Sequence, residues 1–387
     1  MKKIAILNYH MACGGTEKAM IALLNSLDYK QMQVTLYLLF KEGPLLNDIP
    51  KQVDVQEIKF KKDKYRNYVS EFRGLNTIRT SCLKLERKIF KILNRVNYED
   101  GTIFEAVLKQ VIVPDIEFDL VCDFSGYGFF PTVVAAKLFR AKQRCTWIHD
   151  EKCFWLKRVE KSLDNFDRIF CVSISVKQNF LKMYPQHQSK TEVFYNLIDA
   201  QEIRNKANNF VVSDIMNEQN VLLTVGRLVE QKGYDIAVKT ALLLKEKNIL
   251  FKWYFIGDGD KKEEMEDLIR KFKLQNEMIL LGRKDNPYPY MKKCTLYVQP
   301  SRNEGYPIVI IEARALGCVI VASDIPSMGE QIKNEVNGYL VQLNEKAFAN
   351  KIEELLRDEE KREKVKKELQ NEKIDYSDNI KKLYNLL

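Results

Sequence analysis

Residues 2–40 read KKIAILNYHMACGGTEKAMIALLNSLDYKQMQVTLYLLF, and the order of their patterns decides the fold. KKIAILNY (2–9) is a short apolar run with strand character, and a glycine turn follows it. TEKAMIALLNSL (16–27) then places Ala19, Leu23, Leu24 and Leu27 at helical spacing, with Thr16 able to cap the helix. QVTLYLLF (33–40) is strand-like again. Strand, glycine turn, helix, strand is how a doubly wound α/β domain with a parallel sheet begins.

The same alternation runs outward from this start. A basic stretch, 59–95, interrupts it, and strand-like runs resume at 119–125, 144–150, 168–173 and 191–199. Residues 200–219 are polar and Asn-rich, so the expected linker is 201–219. A second series follows at 220–227, 251–259, 278–282, 295–301, 319–323 and 338–341. A length of 387 residues is too much for one ordinary core, which also favours two domains. The expectation is two Rossmann-like domains, 1–200 and 220–365, facing across a cleft, and a helical tail, 366–387, that could pack back on the first. In such folds ligands lie beyond the carboxyl ends of the strands, here in the cleft.

Composition excludes several classes. The chain is 45% hydrophobic and 30% charged, a globular balance. It has no apolar run long enough to cross a membrane as a helix. The start resembles a signal peptide, but its apolar run is only about five residues, short of the roughly 7–15 required. The eight cysteines, at 13, 82, 122, 145, 153, 171, 294 and 318, include no C-x-x-C pair. They read as buried free thiols of a reducing cytoplasm, and three histidines make a zinc site improbable.

The net charge of +9 is unevenly placed. Between Lys59 and Arg95 twelve Lys/Arg face three Asp/Glu, a local excess of +9. CLKLERKIFKILNRV (82–96) sets Leu85, Ile89, Ile92, Leu93 and Val96 at helical spacings among these cations. The pattern suits a helix lying on an anionic membrane, or a solvated face over an ordinary packed helix. Nucleic acid fits less well, because no stacking motif or recognition helix accompanies the charge.

The second half carries the chemistry. VGRLVEQKG (225–233) leaves a strand, turns at Gly226 and offers Arg227 and Lys232 near a helix start. Two cations there suit a diphosphate, although two surface cations would look the same. FIGDGD (255–260) is another strand-end glycine turn and resembles a dinucleotide fingerprint only superficially. SRNEGYPIVIIEARALG (301–317) follows a strand, with Gly305 for backbone freedom, Pro307 for the first helical turn and an end near Gly317. Glu304 precedes this helix and Glu312 is expected about two turns inside it. Eight positions span roughly 12 Å, about the reach from the ribose to the hexose of a nucleotide sugar. Carboxylates accept paired hydroxyls, and the free N–H groups of the stretch around 305–307 would face the phosphates, with Gly305, Tyr306, Pro307 and Ile308 as donor-binding candidates. The plainer alternative is that Glu312 is a satisfied buried acid and Glu304 a helix-capping charge.

GRLVEQKG, GRKDNPYPYMKKC, PSRNEGYPIVIIEA and VNGYLV, taken in order, resemble the retaining glycosyltransferases of family 4, which have the two-domain GT-B fold. The likeness is strong over about 220–342 and weaker over 1–199, and it implies that domain 1–200 binds the acceptor and domain 220–365 the nucleotide sugar. It implies that Glu304 contacts the donor sugar and Glu312 the ribose. Arg227 and Lys232 would hold the diphosphate, and Arg283 and Lys284 would frame the base. In the first half it points to CGGTEKA (13–19), where Gly14 and Gly15 would let the backbone approach a substrate. It also points to WIHDE (147–151), where His149 would contact the transferred sugar. DFSGYG (123–128) and YNLID (195–199) are secondary candidates.

The resemblance implies sugar transfer from a nucleoside diphosphate sugar, with retention, no metal and no cofactor; UDP is favoured over GDP on prevalence alone. Glu304, His149, Arg227 and Lys232 would carry the reaction, with the diphosphate itself accepting the acceptor proton. The acceptor would be a saccharide, lipid-linked, on the inner face of a bacterial membrane in surface or capsular polysaccharide synthesis. The alternatives are a nucleotide-sugar epimerase of the same fold and a non-catalytic partner that binds a nucleotide sugar.

Overall fold

In the computed structural model the opening stretch becomes β1 (Lys2–Asn8), helix Gly15–Asn25 and β2 (Met32–Leu38). β1 and β2 pair in parallel, Lys2 opposite Met32 and Asn8 opposite Leu38. The structure describes residues 1–12, 14–70, 78–213 and 219–387, without the side chains of 78–83. Cys13, the side chain of Cys82, residues 71–77 of the basic stretch and 214–218 of the expected linker lie outside the described residues. The described residues divide into two units, 1–197 with 376–387, and 198–375.

The first unit adds β3 (Asp54–Glu57), β4 (Glu117–Asp123), β5 (Arg140–Ile148), β6 (Arg168–Cys171) and β7 (Thr191–Val193). Its parallel sheet has the order β3-β2-β1-β4-β5-β6-β7. Successive strands run outward from β1 on one side and from β4 on the other, so the topological switch point lies between them. Central strands are covered on both faces and read as continuous apolar runs; Ile4–Leu7 of β1 are each 1% exposed or less. The edge strand β3, DVQE, alternates exposed and half-buried residues and has no apolar run. That is why the sequence showed no strand there.

The second unit holds β8 (Val221–Val225), β9 (Lys252–Ile256), β10 (Met278–Leu280), β11 (Leu296–Gln299), β12 (Ile320–Ser323) and β13 (Tyr339–Val341). Its parallel sheet has the order β10-β9-β8-β11-β12-β13, with the switch point between β8 and β11. Period-two alternation divides its core. Leu222, Trp253, Leu296, Val298 and Val321 pack on one face, and Leu223, Tyr254, Tyr297, Ile320 and Ala322 on the other.

Several boundaries differ from those expected. Thr16 is not a cap: Gly14 holds the N-cap position, and the Thr16 hydroxyl lies 3.1 Å from the Tyr127 hydroxyl. Within the expected linker, Ala200–Lys206 is a helix capped by the Asp199 side chain on the Glu202 N–H. Its Ile203, with Ala207 and Val212, packs into the second core, so the chain passes between units at 197–198. At the other end, helix Glu359–Asn371 belongs to the second unit and helix Ser377–Tyr384 to the first. There Lys382 donates to the Val193 carbonyl at 2.7 Å, Asn379 to the Tyr195 carbonyl at 3.2 Å, and the Asp28 N–H to the Tyr384 hydroxyl at 3.2 Å.

The amphipathic segment forms helix Ile78–Asn94. Phe90 packs against Tyr68 with ring centroids 4.8 Å apart, and the Arg87 guanidinium lies 4.5 Å from the Tyr98 ring. The opposite face leaves Leu85 58%, Ile89 48%, Ile92 67% and Leu93 77% exposed. No described helix is long and apolar enough to cross a membrane. The described cysteines, Cys122, Cys145, Cys153, Cys171, Cys294 and Cys318, are free thiols.

Candidate functional site

In the second unit the loops after β8 and β11 meet above the switch point. Gly226 begins the first loop, and the Lys232 stem lies over it: a Cβ on Gly226 would stand 3.4 Å from Lys232 Cε. A single turn of 3-10 helix, Glu230–Lys232, then ends at Gly233, whose φ of +67° suits glycine. Any larger residue there would also strike the Pro300 carbonyl, 1.9 Å from the position of a Cβ. The two loops are joined elsewhere as well. Arg302 makes two bonds of 2.7 Å to the Asp235 carboxylate and one of 2.9 Å to the Glu230 carbonyl. Burial raises the affinity of Asp235 for a proton, but the Arg302 guanidinium outweighs it and holds the carboxyl below its usual range.

This clamp brings Lys232 to Glu304, with Nζ donating to Oε1 at 2.6 Å. The Ser301 hydroxyl donates to the same oxygen at 2.6 Å. Behind it, Gln299 Nε2 donates to Ser301 Oγ at 2.9 Å, and the Tyr297 hydroxyl to Gln299 Oε1 at 3.1 Å. Tyr297, Gln299 and Ser301 are fully buried and Glu304 is nearly so. A relay of this kind fixes one rotamer of the carboxylate. It also leaves two of the three Lys232 N–H donors for another anion. The Arg227 side chain is exposed and has no hydrogen-bond or ion-pair partner among the described residues.

Pro307 occupies the N-cap position, and the helix runs Ile308–Ala315. Two expectations change. Pro307 precedes the first turn, and Glu312, the fifth residue, lies little more than one turn inside. The Ile308 and Val309 N–H groups at the start of this helix have no carbonyl of their own helix to bond, whereas the Ile310 N–H bonds the Pro307 carbonyl at 3.1 Å. Glu304 lies in the loop and not at the cap. Glu312 is 1% exposed and accepts a 2.7 Å hydrogen bond from the Tyr288 hydroxyl. Arg283 and Lys284 stand on a different loop, after β10 and the left-handed Gly282. Arg283 is half-exposed, 3.9 Å from Asp285, and Lys284 Nζ lies 5.9 Å from the Tyr290 ring.

His149, Gly14 and Gly15 belong to the first unit. Asp123, at the end of β4, is fully buried and accepts hydrogen bonds from Ser125 and Thr146, which shape the loop after it. Burial pushes the Asp123 carboxyl up despite these donors. The loop returns the Phe124 carbonyl to His149, 2.8 Å from Nε2. A carbonyl only accepts, so Nε2 carries the proton of the neutral ring. Nδ1 is buried with no hydrogen-bond partner among the described residues. Burial pulls the His149 pKa down to about 4, against a smaller opposing effect of the Phe124 carbonyl.

The sequence reading missed the Tyr297–Gln299–Ser301 relay and Tyr288. A signal for the relay was present: three polar residues at i, i+2 and i+4 put polar groups on one face of a buried strand.

Residues 205–372 match the family model for glycosyl transferases group 1. The chain is 25% identical over 379 residues, 95% of its length and 93% of the relative's, to a protein of Campylobacter jejuni. That relative is an N-acetylgalactosamine-N,N'-diacetylbacillosaminyl-diphospho-undecaprenol 4-alpha-N-acetylgalactosaminyltransferase. Other curated relatives match over about half to three-fifths of their own length. Among solved structures, Anabaena HepE with UDP and glucose aligns at a TM-score of 0.72 and 17% identity, covering 100% of this chain and 99% of that one. S. aureus TarM in complex with Fondaparinux, alpha-GlcNAc-glycerol and UDP aligns at 0.73 and 14%, with the same coverage. Both likenesses concern the fold. Taken with the two parallel sheets, they give the chain the GT-B fold, within which residues 205–372 match the glycosyl transferases group 1 model.

Proposed function

We propose that the chain transfers a sugar from a UDP-sugar to a lipid-linked diphospho-saccharide, with retention at the anomeric carbon. The observation that carries this reading is the convergence of Lys232 and Glu304 at the switch point between β8 and β11. Lys232, Arg227 and the N–H groups at the start of helix Ile308–Ala315 take the diphosphate. They stabilise the charge that develops as its bond to the sugar breaks. Glu304, fixed by Ser301, receives hydroxyls of the donor sugar, while Glu312 and Tyr288 serve the ribose side. Gly305 and Tyr306 border the phosphates, and Arg283 and Lys284 lie at the base. In the first unit, His149 meets the transferred sugar, and the backbone at Gly14 and Gly15 approaches the substrate.

In the chemical step the donor C1–O bond breaks, its electron pair leaving with the diphosphate. The acceptor oxygen bonds to C1 on the same face, and its proton passes to the departing diphosphate. These residues supply the positive charge for the step without a metal. The acceptor class follows from the C. jejuni relative, whose substrate is a diphospho-undecaprenol saccharide. The basic helix Ile78–Asn94, with its exposed apolar face, suits an anionic membrane surface where such an acceptor resides.

A thermal-shift screen of nucleotide sugars, beginning with UDP-N-acetylgalactosamine, tests the donor. UDP-sugars are expected to raise the melting temperature. In a direct transfer assay Lys232→Ala is expected to lower the rate by about two orders of magnitude, with the fold intact. An unchanged rate would remove Lys232 from the mechanism.

A further inference from the structure

The two helices joined by the Tyr288–Glu312 hydrogen bond are each followed by a cysteine at the amino edge of the second sheet. Cys294 is the C-cap of helix Tyr288–Lys293, and its N–H bonds the Tyr290 carbonyl at 3.0 Å. Helix Ile308–Ala315 turns at Gly317, whose φ is +72°, and the Cys318 N–H then bonds the Ala313 carbonyl at 2.9 Å. Cys294 precedes β11 and Cys318 precedes β12 by the same two positions. These strands are parallel neighbours, with Tyr297 opposite Ile320, so both thiols reach one corner. Both Sγ atoms lie 3.1 Å from a single oxygen, the Met291 carbonyl, and the thiols are in hydrogen-bond contact with each other. Met291 is fully buried, and the Thr295 N–H that would continue its helix bonds the Val221 carbonyl at 2.7 Å. Two S–H groups therefore satisfy a carbonyl left over at a helix end.

Access separates this pair from another. Cys122 and Cys145 face each other across β4 and β5 with Sγ atoms 3.4 Å apart, but both are 0% exposed. Cys294 is half-buried, and a Cβ on Gly317, next to Cys318, would meet no atom within 4 Å. The corner is open to a small reagent. Contact with Cys318 and burial hold the Cys294 pKa well above the usual thiol range, against a smaller effect of Lys366. The pair is therefore two thiols at neutral pH and reacts faster as the pH rises.

We propose that Cys294 and Cys318 form a redox site for low-molecular-weight disulfides, with Cys294 as the entry thiol and Cys318 as the resolving thiol. Cys294 loses its proton to solvent and attacks one sulfur of the reagent, whose S–S bond breaks and releases one thiolate. Cys318, deprotonated in turn, attacks Cys294 Sγ and releases the second. The two cysteines give up two electrons and two protons, and the small disulfide becomes two thiols. Closure removes both S–H donors from the buried Met291 carbonyl, which loosens the end of the helix that carries Tyr288. The effect on the donor rests on the transferase reading above: a loosened Tyr288 weakens the ribose side of the site.

The test exposes the native full chain to oxidised glutathione at about pH 8.5, where thiolates are more abundant. Remaining thiols are then alkylated in denaturant and the peptides mapped by mass. A Cys294–Cys318 disulfide is expected, with Cys122 and Cys145 alkylated. Cys318→Ser is expected to stop at a glutathione adduct on Cys294. The site is overturned if Cys294 and Cys318 are both alkylated in the wild-type chain, if Cys294 keeps its glutathione there, or if Cys122 and Cys145 oxidise first. UDP-induced thermal stabilisation is measured on the reduced and oxidised wild-type chain. Oxidation is expected to at least halve the shift, and dithiothreitol to restore it; equal shifts would overturn the link to the donor. A reduced chain that shows no UDP shift defeats the donor reading instead, and the disulfide map still decides the site.

Discussion

Two histidines of the first unit show how position sets protonation. Burial lowers the basicity of His10, but the Glu17 carboxylate, 3.5 Å from Nδ1, outweighs it, and the ring holds its proton more tightly. His149 is buried against a carbonyl and aromatic rings, and its pKa falls to about 4. The second shift has a consequence for stability. An unfolded chain binds a proton at this histidine near pH 6.5, whereas the fold refuses it until about 4. Stability from His149 is therefore complete above 6.5 and lost as the pH falls from 6.5 toward 4. Between pH 7.5 and 4.5 the loss is about 2–3 kcal/mol. Urea unfolding of wild type and His149→Asn at both pH values is expected to differ by that amount, with the variant the less sensitive. Equal slopes would place His149 in a wetter setting than its burial implies.

Lys232 and Glu304 could be named from the sequence because each precedes a glycine in a loop that follows a strand, and His149 because it directly follows β5, where side chains meet ligands. The partners of Glu304 were not singled out. Ser301 and Gln299 look like ordinary strand residues, and only the packing of β11 turns them toward one carboxylate oxygen. Glu17 was hidden for a similar reason. An acid in the first helical turn usually answers the helix dipole, and its approach to His10 depends on how the loop closes.

Among the elements, central strands declared themselves through apolar runs, and β3 did not, since an edge needs no such run. Helix Ile78–Asn94 was visible through its spacing, but the sequence left open which face would be covered. The structure turns Phe90 and Arg87 inward and leaves Leu85, Ile89, Ile92 and Leu93 outside. Lys84, Lys88, Lys91 and Arg95 follow at spacings of four, three and four, a stripe along one side of the helix and its end. Such a helix is expected to sediment the protein with phosphatidylglycerol vesicles and not with phosphatidylcholine vesicles, and high salt is expected to release it. Ile92→Ser with Leu93→Ser should weaken sedimentation about tenfold or more. Equal partitioning onto both lipids would argue that the cations serve solubility alone.

Across the whole molecule, the repeated βα order announced two parallel-sheet domains, while the boundaries depended on contacts distant in sequence. The Asn-rich stretch looked like a linker because its periodicity is weak, yet Ile203 commits it to the second core. The last helix contributes Leu383, 1% exposed, and Leu386, 9% exposed, to the first unit. Ending the chain at residue 375 uncovers both and is expected to cost that unit about 3–6 kcal/mol. Two-step denaturant curves should show the loss in one transition only, and a uniform shift of both would contradict the division into units.

The closing segment also orders events during synthesis. Residues 198–375 form a continuous unit and can fold as soon as they leave the ribosome. The earlier-made part must wait for residues 376–387, which are translated after all of the second unit. The unit begun before the other is thus completed after it, and a nascent chain stalled before residue 376 would present it to chaperones and proteases in unfinished form.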